Sequence, residues 1–140
     1  MVKLTVREFA PADYNNLIQL WRLVNMFNPK TDKKSIILRK YRQNKKMILI
    51  AKINNMVIGS ILGMGDGWRG TLWRLAVHPK YQRRGIGTRL VKKMEDRLKS
   101  AGCKRIILLA DKDNAAIKFY HKLGYKKDSN VLYLEKNYYQ

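Results

Sequence analysis

The sequence predicts a mixed α/β domain in which a central β-sheet of about six to seven strands is flanked by about four helices. The chain has 140 residues, a length typical of one domain, and we expect residues 1–140 to form a single domain. Hydrophobic residues make up 46% of the chain and charged residues 29%, which is typical of a protein with a buried core. Segments with the period of strands alternate along the chain with segments of helical period.

The first third of the chain predicts one strand followed by two helices. Residues 4–9 alternate between apolar and polar side chains, as in a strand with one buried face. Pro11 opens a helix with apolar residues at helical spacing, and Pro29 marks a break after it. A second, strongly basic helix is expected over about residues 33–44, with Asp32 as its N-cap.

The middle of the chain predicts three strands. The apolar run Met47–Ile53 is expected to form a buried strand, and Met56–Leu62 to be its hairpin partner across a two-asparagine turn. The glycine-dense segment Gly63–Gly70 is expected to be a loop. A further strand is expected over Thr71–Val77, before a polar loop.

The last third of the chain predicts two helices and three strands. An amphipathic helix over about residues 87–100 ends at Gly102. The Ile- and Leu-rich run Lys104–Ala110 is typical of a strand buried on both faces. Asn114 starts a last helix, which Gly124 ends. A closing pair of short strands is then expected over residues 125–128 and 131–135.

Charge is the unusual feature of the composition. The chain has 30 Lys and Arg against 10 Asp and Glu, a formal net charge of +20, which favours an anionic partner. The single cysteine, Cys103, excludes an internal disulfide and is interpreted as structural. Neither a membrane span nor the apolar core of a signal peptide is found, so we expect a cytoplasmic protein without a membrane partner. His78, His121 and Cys103 lack metal-ligand spacing, and no metal site is predicted.

Segment Gly65–Gly70 matches the dinucleotide fingerprint G-x-G-x-x-G letter by letter. That fingerprint requires a strand before it and a helix after it, so that a helix N-terminus faces the pyrophosphate. Here a predicted strand follows. The segment is therefore interpreted as a glycine-rich hairpin turn.

A second glycine-containing segment has the context that an anion site needs. It follows a predicted strand and opens a predicted helix, with glycines for close backbone approach and two arginines for phosphate. It lacks the Lys-Ser/Thr pair of a P-loop. Alone, it predicts either a pyrophosphate cradle or a loop with a solvated basic run. Its residues are Gln82, Arg83, Arg84, Gly85, Ile86, Gly87 and Thr88.

A third candidate site follows the buried strand. Asn114 lies at the predicted start of the last helix, and Tyr120 lies less than two turns into it. Taken alone, Tyr120 is better explained as a core aromatic residue. The two residues gain a functional interpretation only when they are considered together with the cradle.

These two segments together resemble the core of the GCN5-related N-acetyltransferase (GNAT) superfamily. Gln82-x-x-Gly85-x-Gly87 resembles that family's Q/R-x-x-G-x-G/A motif, and the stretch from Asn114 through Tyr120 to Gly124-Tyr125 resembles its N-x-x-A-x-x-x-Y-x-x-x-G-F segment. The resemblance implies a GNAT acyl-CoA fold with a mixed, mostly antiparallel sheet. It also implies acetyl-CoA bound between two splayed strands, here Leu72–Val77 and Arg105–Ala110.

The resemblance also implies roles for individual residues. Tyr120 would be the general acid that protonates the thiolate of CoA, with reference pKa values of about 10 for a phenol and about 8.5 for a thiol. A substrate amine would attack the thioester directly, without a covalent enzyme intermediate. The Asn114 side chain would touch the arm of CoA, and N–H groups from Arg83 to Thr88 would hold the pyrophosphate. Backbone groups that would pair with the pantetheine belong to Leu75, Ala76 and Val77.

The general base is the open part of this interpretation. Many family members carry a glutamate on the strand before the cradle, whereas this chain has no acid from Thr71 to Val77. Asp66 is the first substitute, and Glu8 and Asp111 are others. Proton relay through water, or entry of an already neutral amine, is the alternative.

The acceptor and partners also stay open. The acceptor is expected to be a primary amine of a peptide, a protein or a small molecule, near the loop at residues 25–31 and the closing strands. Residues 30–46 hold eight Lys and Arg against one acid, which predicts either a solvated face or a docking surface for an acidic protein or the ribosome. A monomer or a homodimer is expected. Two alternative functions are a basic nucleic-acid-binding module and a non-catalytic acyl-CoA sensor.

Overall fold

The computed structural model describes residues 3–139, in which helices and strands succeed each other in nearly the predicted order. The strands are β1 Leu4–Glu8, β2 Ile48–Ile53, β3 Met56–Gly65, β4 Arg69–Val77 and β5 Arg105–Leu108. The helices are α1 Tyr14–Leu23, α2 Lys34–Gln43, α3 Ile86–Ser100 and α4 Ile117–Lys122, with short 3-10 turns at Pro11–Asp13 and Pro79–Tyr81. A larger unit ends at Leu108 and a smaller unit begins at Leu109. The prediction that the whole chain forms one domain stays a prediction.

The described strands form one five-stranded sheet in the order β1-β2-β3-β4-β5. Neighbouring strands are antiparallel from β1 to β4, and only β4 and β5 are parallel. A mixed, mostly antiparallel sheet together with four helices in the described chain confirms the predicted fold class. The strand count is lower than the predicted six to seven.

The helices of the larger unit cover both faces of its sheet. Ser60 of β3 bonds Trp21 of α1, whereas a methyl group placed on the adjacent Gly59 would meet Ile86 and Leu90 of α3. Because successive strand residues point to opposite faces, α1 and α3 lie on opposite sides of the sheet. The face of α1 and α2 carries a core cluster of Phe9, Leu17, Ile18, Leu20, Trp21, Ile37, Ile48, Ile50, Val57, Leu62 and Ala76.

The start of α2 corrects one predicted detail. Lys33, not Asp32, is the N-cap of α2, and no side chain caps this end. Asp32 is only 4% exposed, and its carboxylate accepts hydrogen bonds from the Asn28 N–H and from Arg74. A buried carboxylate requires such partners, and these draw Asp32 away from the capping position.

The predicted loop at Gly63–Gly70 is a tight hairpin. Strand β3 continues to Gly65 and β4 begins at Arg69, so only three residues form the turn. The Asp66 Oδ1 atom accepts a hydrogen bond from the Trp68 N–H at 3.1 Å, and Gly67 has a φ of +92°. The hairpin-turn interpretation is thus confirmed, because a strand and not a helix follows the glycines.

Helix α3 ends as predicted and brings Cys103 into the core. The Gly102 N–H donates to the Lys99 carbonyl at 2.9 Å and the Cys103 N–H to the Leu98 carbonyl at 3.0 Å. With a φ of +98° at Gly102, these two bonds form a Schellman motif. Cys103 is 3% exposed. A methyl group placed on Gly65 would lie 2.9 Å from the Sγ atom of Cys103, so the thiol packs beneath the hairpin turn.

Strand β5 is shorter and more exposed than predicted. It ends at Leu108 instead of Ala110, and its residues are half-buried or exposed. Among the described strands, β5 has a hydrogen-bonded neighbour, β4, on one side only, so it is an edge strand. The partial exposure of its side chains contradicts the prediction that it is buried on both faces.

The smaller unit contains a shorter last helix than predicted and no closing strands. Helix α4 begins at Ile117, and Asn114 lies in the preceding turn, where its Oδ1 accepts the Ala116 N–H at 2.8 Å. Such a local side-chain bond competes with helix formation. The predicted strands at residues 125–128 and 131–135 form no ladder in the described chain. A two-stranded hairpin with exposed residues is marginally stable, which explains this difference.

Candidate active site

The second half of β4 has a strand on one side only. β4 pairs with β5 from Arg69 to Leu72, but its pairing with β3 continues to Val77. Among the described strands, nothing therefore pairs with the later residues of β4 on the β5 side. Alternate residues of a strand direct their backbone N–H and C=O groups to opposite edges, so this edge presents backbone groups that no described strand pairs. The residues predicted to pair with pantetheine lie on this part of β4: Leu75, Ala76 and Val77.

A β-bulge bends β4 where its pairing with β5 stops. Arg74 has a φ of +56°, and the register of β3 against β4 shifts between Ser60 and Leu62. The buried Ser60 hydroxyl accepts a hydrogen bond from Trp21 Nε1 and donates one to the Arg74 carbonyl, both at 2.9 Å. A bulge re-aims side chains and ends regular pairing, so this network stabilises the bend.

The Arg74 side chain joins the bulge to the loop between α1 and α2. Its guanidinium forms an ion pair with Asp32 at 2.9 Å, donates a hydrogen bond to the Met26 carbonyl and lies 5.0 Å from the centre of the Trp21 ring. This loop is the one that the sequence assigns to the acceptor. Arg74 therefore positions the loop against β4, at the place where many family members carry a glutamate.

The turn before α3 has the backbone geometry of an anion site. Arg83 and Gly85 both have left-handed conformations, with φ of +63° and +79°. The first helical hydrogen bond runs from the Arg89 N–H to the Gly85 carbonyl at 3.0 Å. No side chain caps the helix, and its first turn contains no acid. The N–H groups of the first turn are therefore available, and the helix dipole favours a negative charge there.

The side chains around this turn keep it open and joined to β4. Gln82 Nε2 donates to the Val77 carbonyl at 3.0 Å, which ties the turn to the end of β4. Arg83 and Arg84 are exposed, and the Arg84 guanidinium lies 5.3 Å from the centre of the Tyr81 ring. The structure thus brings together the predicted cradle residues Gln82, Arg83, Arg84, Gly85, Ile86, Gly87 and Thr88.

Asn114 and Tyr120 lie in the smaller unit. Tyr120 lies on α4, with its ring 5.3 Å from Phe119 and 5.9 Å from Tyr125 in edge-to-face contacts. Burial raises the pKa of the Tyr120 phenol above its ordinary value. The phenol is therefore protonated at neutral pH, as a general acid must be.

The structure does not bring Asp66 to the cradle. Asp66 lies in the β3–β4 turn, where a methyl group on the neighbouring Gly67 would lie 3.1 Å from the Ala101 carbonyl oxygen, just past the C-terminus of α3. The cradle lies at the other end of this 15-residue helix, about 22 Å away. The Asp66 carboxylate closes its own turn, and its prediction as the base gains no support from this placement.

The two alternative acids have other surroundings. Glu8 lies on β1, three strands from β4, and forms an ion pair with Arg97 at 3.2 Å. A hydrogen bond to the backbone is the largest cause that lowers the pKa of Glu8, and the interaction with Arg97 lowers it further. Asp111 lies in the smaller unit, where its carbonyl accepts the Asn114 N–H at 2.9 Å.

The sequence analysis missed the network of Arg74, Ser60, Trp21 and Asp32. The pair Trp73-Arg74 does interrupt the alternation of β4, and that irregularity is the signal for a bulge. Within residues 3–139, no cluster of three or more His, Cys, Asp or Glu side chains could hold a metal ion. Over the same residues, no helix is long and apolar enough to cross a membrane.

Comparisons with known proteins agree with this architecture. The model of the acetyltransferase (GNAT) family matches residues 15–125, and the chain belongs to this family. It is 37% identical to an acetyltransferase of Sodalis glossinidius over 134 residues, which cover 95% of this chain and 94% of that protein. It is 35% identical to an acetyltransferase of Pectobacterium atrosepticum, with 88% of each chain covered.

The fold is also similar to that of solved acetyltransferases. The PaiA N-acetyltransferase of Thermoplasma acidophilum, in complex with coenzyme A, superposes with a TM-score of 0.72 over 90% of this chain and 91% of that one, at 21% identity. At this level of identity the likeness concerns the fold. Family membership and the two sequence relatives support an acyltransferase.

Proposed function

We propose that the protein is an acetyl-CoA-dependent N-acetyltransferase of the EC 2.3.1 class. It transfers an acetyl group to a primary amine of a peptide, a protein or a small molecule by direct attack. The thioester of acetyl-CoA supplies the acetyl group and a thiolate leaving group. The cytoplasmic location and the monomeric or homodimeric state stay predictions.

The observation that carries this proposal is the uncapped N-terminus of α3. Its first turn offers backbone N–H groups without a competing carboxylate, beside two exposed arginines. Pyrophosphate needs these donors and this charge. The unpartnered edge of β4 would hold the pantetheine through backbone hydrogen bonds. The coenzyme A bound by the PaiA relative supports the same ligand for this chain.

The proposed mechanism assigns proton donation to Tyr120. Its half-buried phenol keeps the proton on Oη until a thiolate sulfur accepts it. Asn114 is proposed to contact the arm of CoA with its amide group, whose oxygen also accepts the Ala116 N–H.

The proposed mechanism does not need a carboxylate on β4. Arg74 occupies that region, where its guanidinium forms an ion pair with Asp32, and a guanidinium cannot accept a proton from the amine. An amine that enters neutral, or loses its proton to water, fits this environment. Asp66 as the base stays a prediction.

Two measurements on one preparation separate this proposal from its alternatives. We expect acetyl-CoA to bind in calorimetry at micromolar concentrations, and thiol release to follow with at least one member of a panel of peptides and small amines. Absence of binding at tens of micromolar would exclude the enzyme. Binding without thiol release on any acceptor would favour the acyl-CoA sensor.

Tyr120→Phe tests the general acid. This variant keeps the ring and its contacts but removes the proton, so we expect kcat to fall by about 10²–10⁴-fold with little change in the Kd for acetyl-CoA. Tyr125→Phe on the same unit is the matched control and should leave kcat nearly unchanged. An equal loss of turnover and of CoA affinity in Tyr120→Phe would show that Tyr120 is structural.

A further inference from the structure

The exposed side of α2 and the loop after it carries only positive charge. Six exposed residues form this surface, which we call the α2 basic face: Lys33, Lys34, Arg39, Arg42, Lys45 and Lys46. The single acid between residues 30 and 46, Asp32, is buried and paired with Arg74. It therefore does not neutralise the α2 basic face, which favours a polyanionic partner.

A groove separates the C-terminal end of α2 from the β3–β4 hairpin. Its volume is about 410 Å³, and its lining includes Lys40, Gln43, Met64, Asp66 and Arg69, so one carboxylate lies among the cations. Lys40 Nζ donates to the Gly63 carbonyl at 2.7 Å, which fixes α2 against β3. The groove therefore runs directly from the end of the α2 basic face to the hairpin.

An exposed aromatic residue lies in the turn of the hairpin, between Asp66 and Arg69, which both line this groove. Trp68 is 75% exposed, and the Arg69 guanidinium lies 5.1 Å from the centre of its ring. Met64 on the same hairpin is 52% exposed. A large apolar ring exposed to this extent, beside cations, is typical of a stacking platform for a nucleobase.

We propose that this surface binds a single-stranded nucleic acid, with phosphates on the α2 basic face and a base stacked on Trp68. An acidic peptide would use the cations but has no use for an exposed indole, whereas every nucleobase offers a face that stacks. In the sequence, no aromatic platform is interleaved with the basic run. The fold supplies one by placing the hairpin beside the end of α2. This binding does not depend on the proposed acetyl transfer.

The test is a titration of labelled 12-nucleotide uridine and thymidine oligomers with the protein. Binding is measured by fluorescence anisotropy at several salt concentrations. Polyglutamate of similar charge is the competing probe. We expect saturable binding of the oligomers at 50 mM salt, with a negative slope of log K against log salt of about 0.7 per phosphate contact. A deoxyuridine oligomer, which differs from the uridine oligomer only in the 2′-hydroxyl, distinguishes RNA from DNA.

Two variants separate the roles of charge and stacking. Arg42→Gln with Lys45→Gln should lower the magnitude of the salt slope by about 1.4. Trp68→Ala should weaken binding by roughly 5- to 150-fold and leave the slope unchanged. Lys3→Gln with Lys92→Gln removes the same charge from β1's N-terminal flank and from α3, and should have little effect on binding.

Three results would overturn the proposal. They are absence of oligomer binding at 50 mM salt, equal loss in the Lys3/Lys92 control, and polyglutamate binding as tight as the oligomers with no effect of Trp68→Ala. The last result would assign the surface to an acidic protein. Acetyl-CoA binding by each variant, measured in parallel, reports whether the cradle is intact.

Discussion

At the scale of single residues, Arg74 links the shape of β4 to the loop assigned to the acceptor. Its left-handed backbone forms the bulge, and its guanidinium holds Asp32 and the Met26 carbonyl. Asp32 is buried, so loss of this partner would leave a buried carboxylate without its ion pair. Arg74 lies near the place where a carboxylate base is expected. It is therefore a positioning residue, and its charge is positive.

Arg74→Met tests this role. It leaves the Asp32 carboxylate without its cationic partner, and we expect a loss of about 1–3 kcal/mol in the free energy of unfolding, measured by urea denaturation. Arg74→Lys keeps the positive charge but cannot form the same hydrogen bonds to Asp32 and to the Met26 carbonyl at once. It should therefore recover part of the loss. We also expect KM for the acceptor to rise more than KM for acetyl-CoA. Wild-type stability in Arg74→Met would show that the loop is held by other contacts.

At the scale of elements, α3 lies against the sheet because β3 carries glycines beneath it. A methyl group placed on Gly59 would lie 3.1 Å from Ala51 Cβ and 3.3 Å from Ile86 Cγ2. Ile86 belongs to the first turn of α3, so the distance between β3 and α3 at Gly59 also determines where the cradle stands. A methyl group on Gly63 would meet Met94, near the middle of α3, at 2.5 Å.

Gly59→Ala and Gly63→Ala form a matched pair. Overpacking costs about 1–3 kcal/mol, so both variants should be less stable in thermal unfolding. Only Gly59→Ala displaces the first turn of α3, and we expect it to weaken CoA binding by several-fold in calorimetry. Because the flexible Met94 side chain can move, Gly63→Ala should bind CoA nearly as the wild type does. Similar CoA affinities for the two variants would contradict the link between Gly59 and the cradle.

Elements were predictable where local chemistry determines them. The glycines that end α3 and α4 have left-handed φ values of +98° and +96°, and their positions were read from the sequence. Features that depend on tertiary contacts were not predictable. The Arg74 bulge requires Ser60 and Trp21 from two other elements. The Asn114 turn shortens α4 through a bond that helical periodicity does not reveal.

At the scale of the whole molecule, the net charge of +20 is divided among separate surfaces. Arg83 and Arg84 border the cradle, whereas the α2 basic face is on another helix and needs its own explanation. Interactions between exposed charges fade beyond about 10 Å at 0.1 M salt. The two surfaces should therefore respond to salt independently. Composition alone could not reveal this division, because it requires the places of the charges.

Ligand binding to the folded chain gives a prediction at this scale. At a CoA concentration of about 100 times its Kd, linkage adds about 2.7 kcal/mol to the free energy of unfolding. For 140 residues this corresponds to a rise in Tm of about 9 °C in a thermal scan. Pantetheine at the same concentration lacks the pyrophosphate and should raise Tm much less. Equal shifts for the two ligands would argue against phosphate binding at the N-terminus of α3.

The burial of Cys103 has a practical consequence for measuring turnover. The chain contains one thiol, which is 3% exposed and packs beneath the hairpin turn. A chromogenic disulfide reagent added to a running reaction will therefore titrate the CoA released and not the enzyme. In the absence of substrate, slow colour development from Cys103 reports how often the hairpin lifts from the end of α3. The rate at which Cys103 reacts therefore measures local opening of the folded protein.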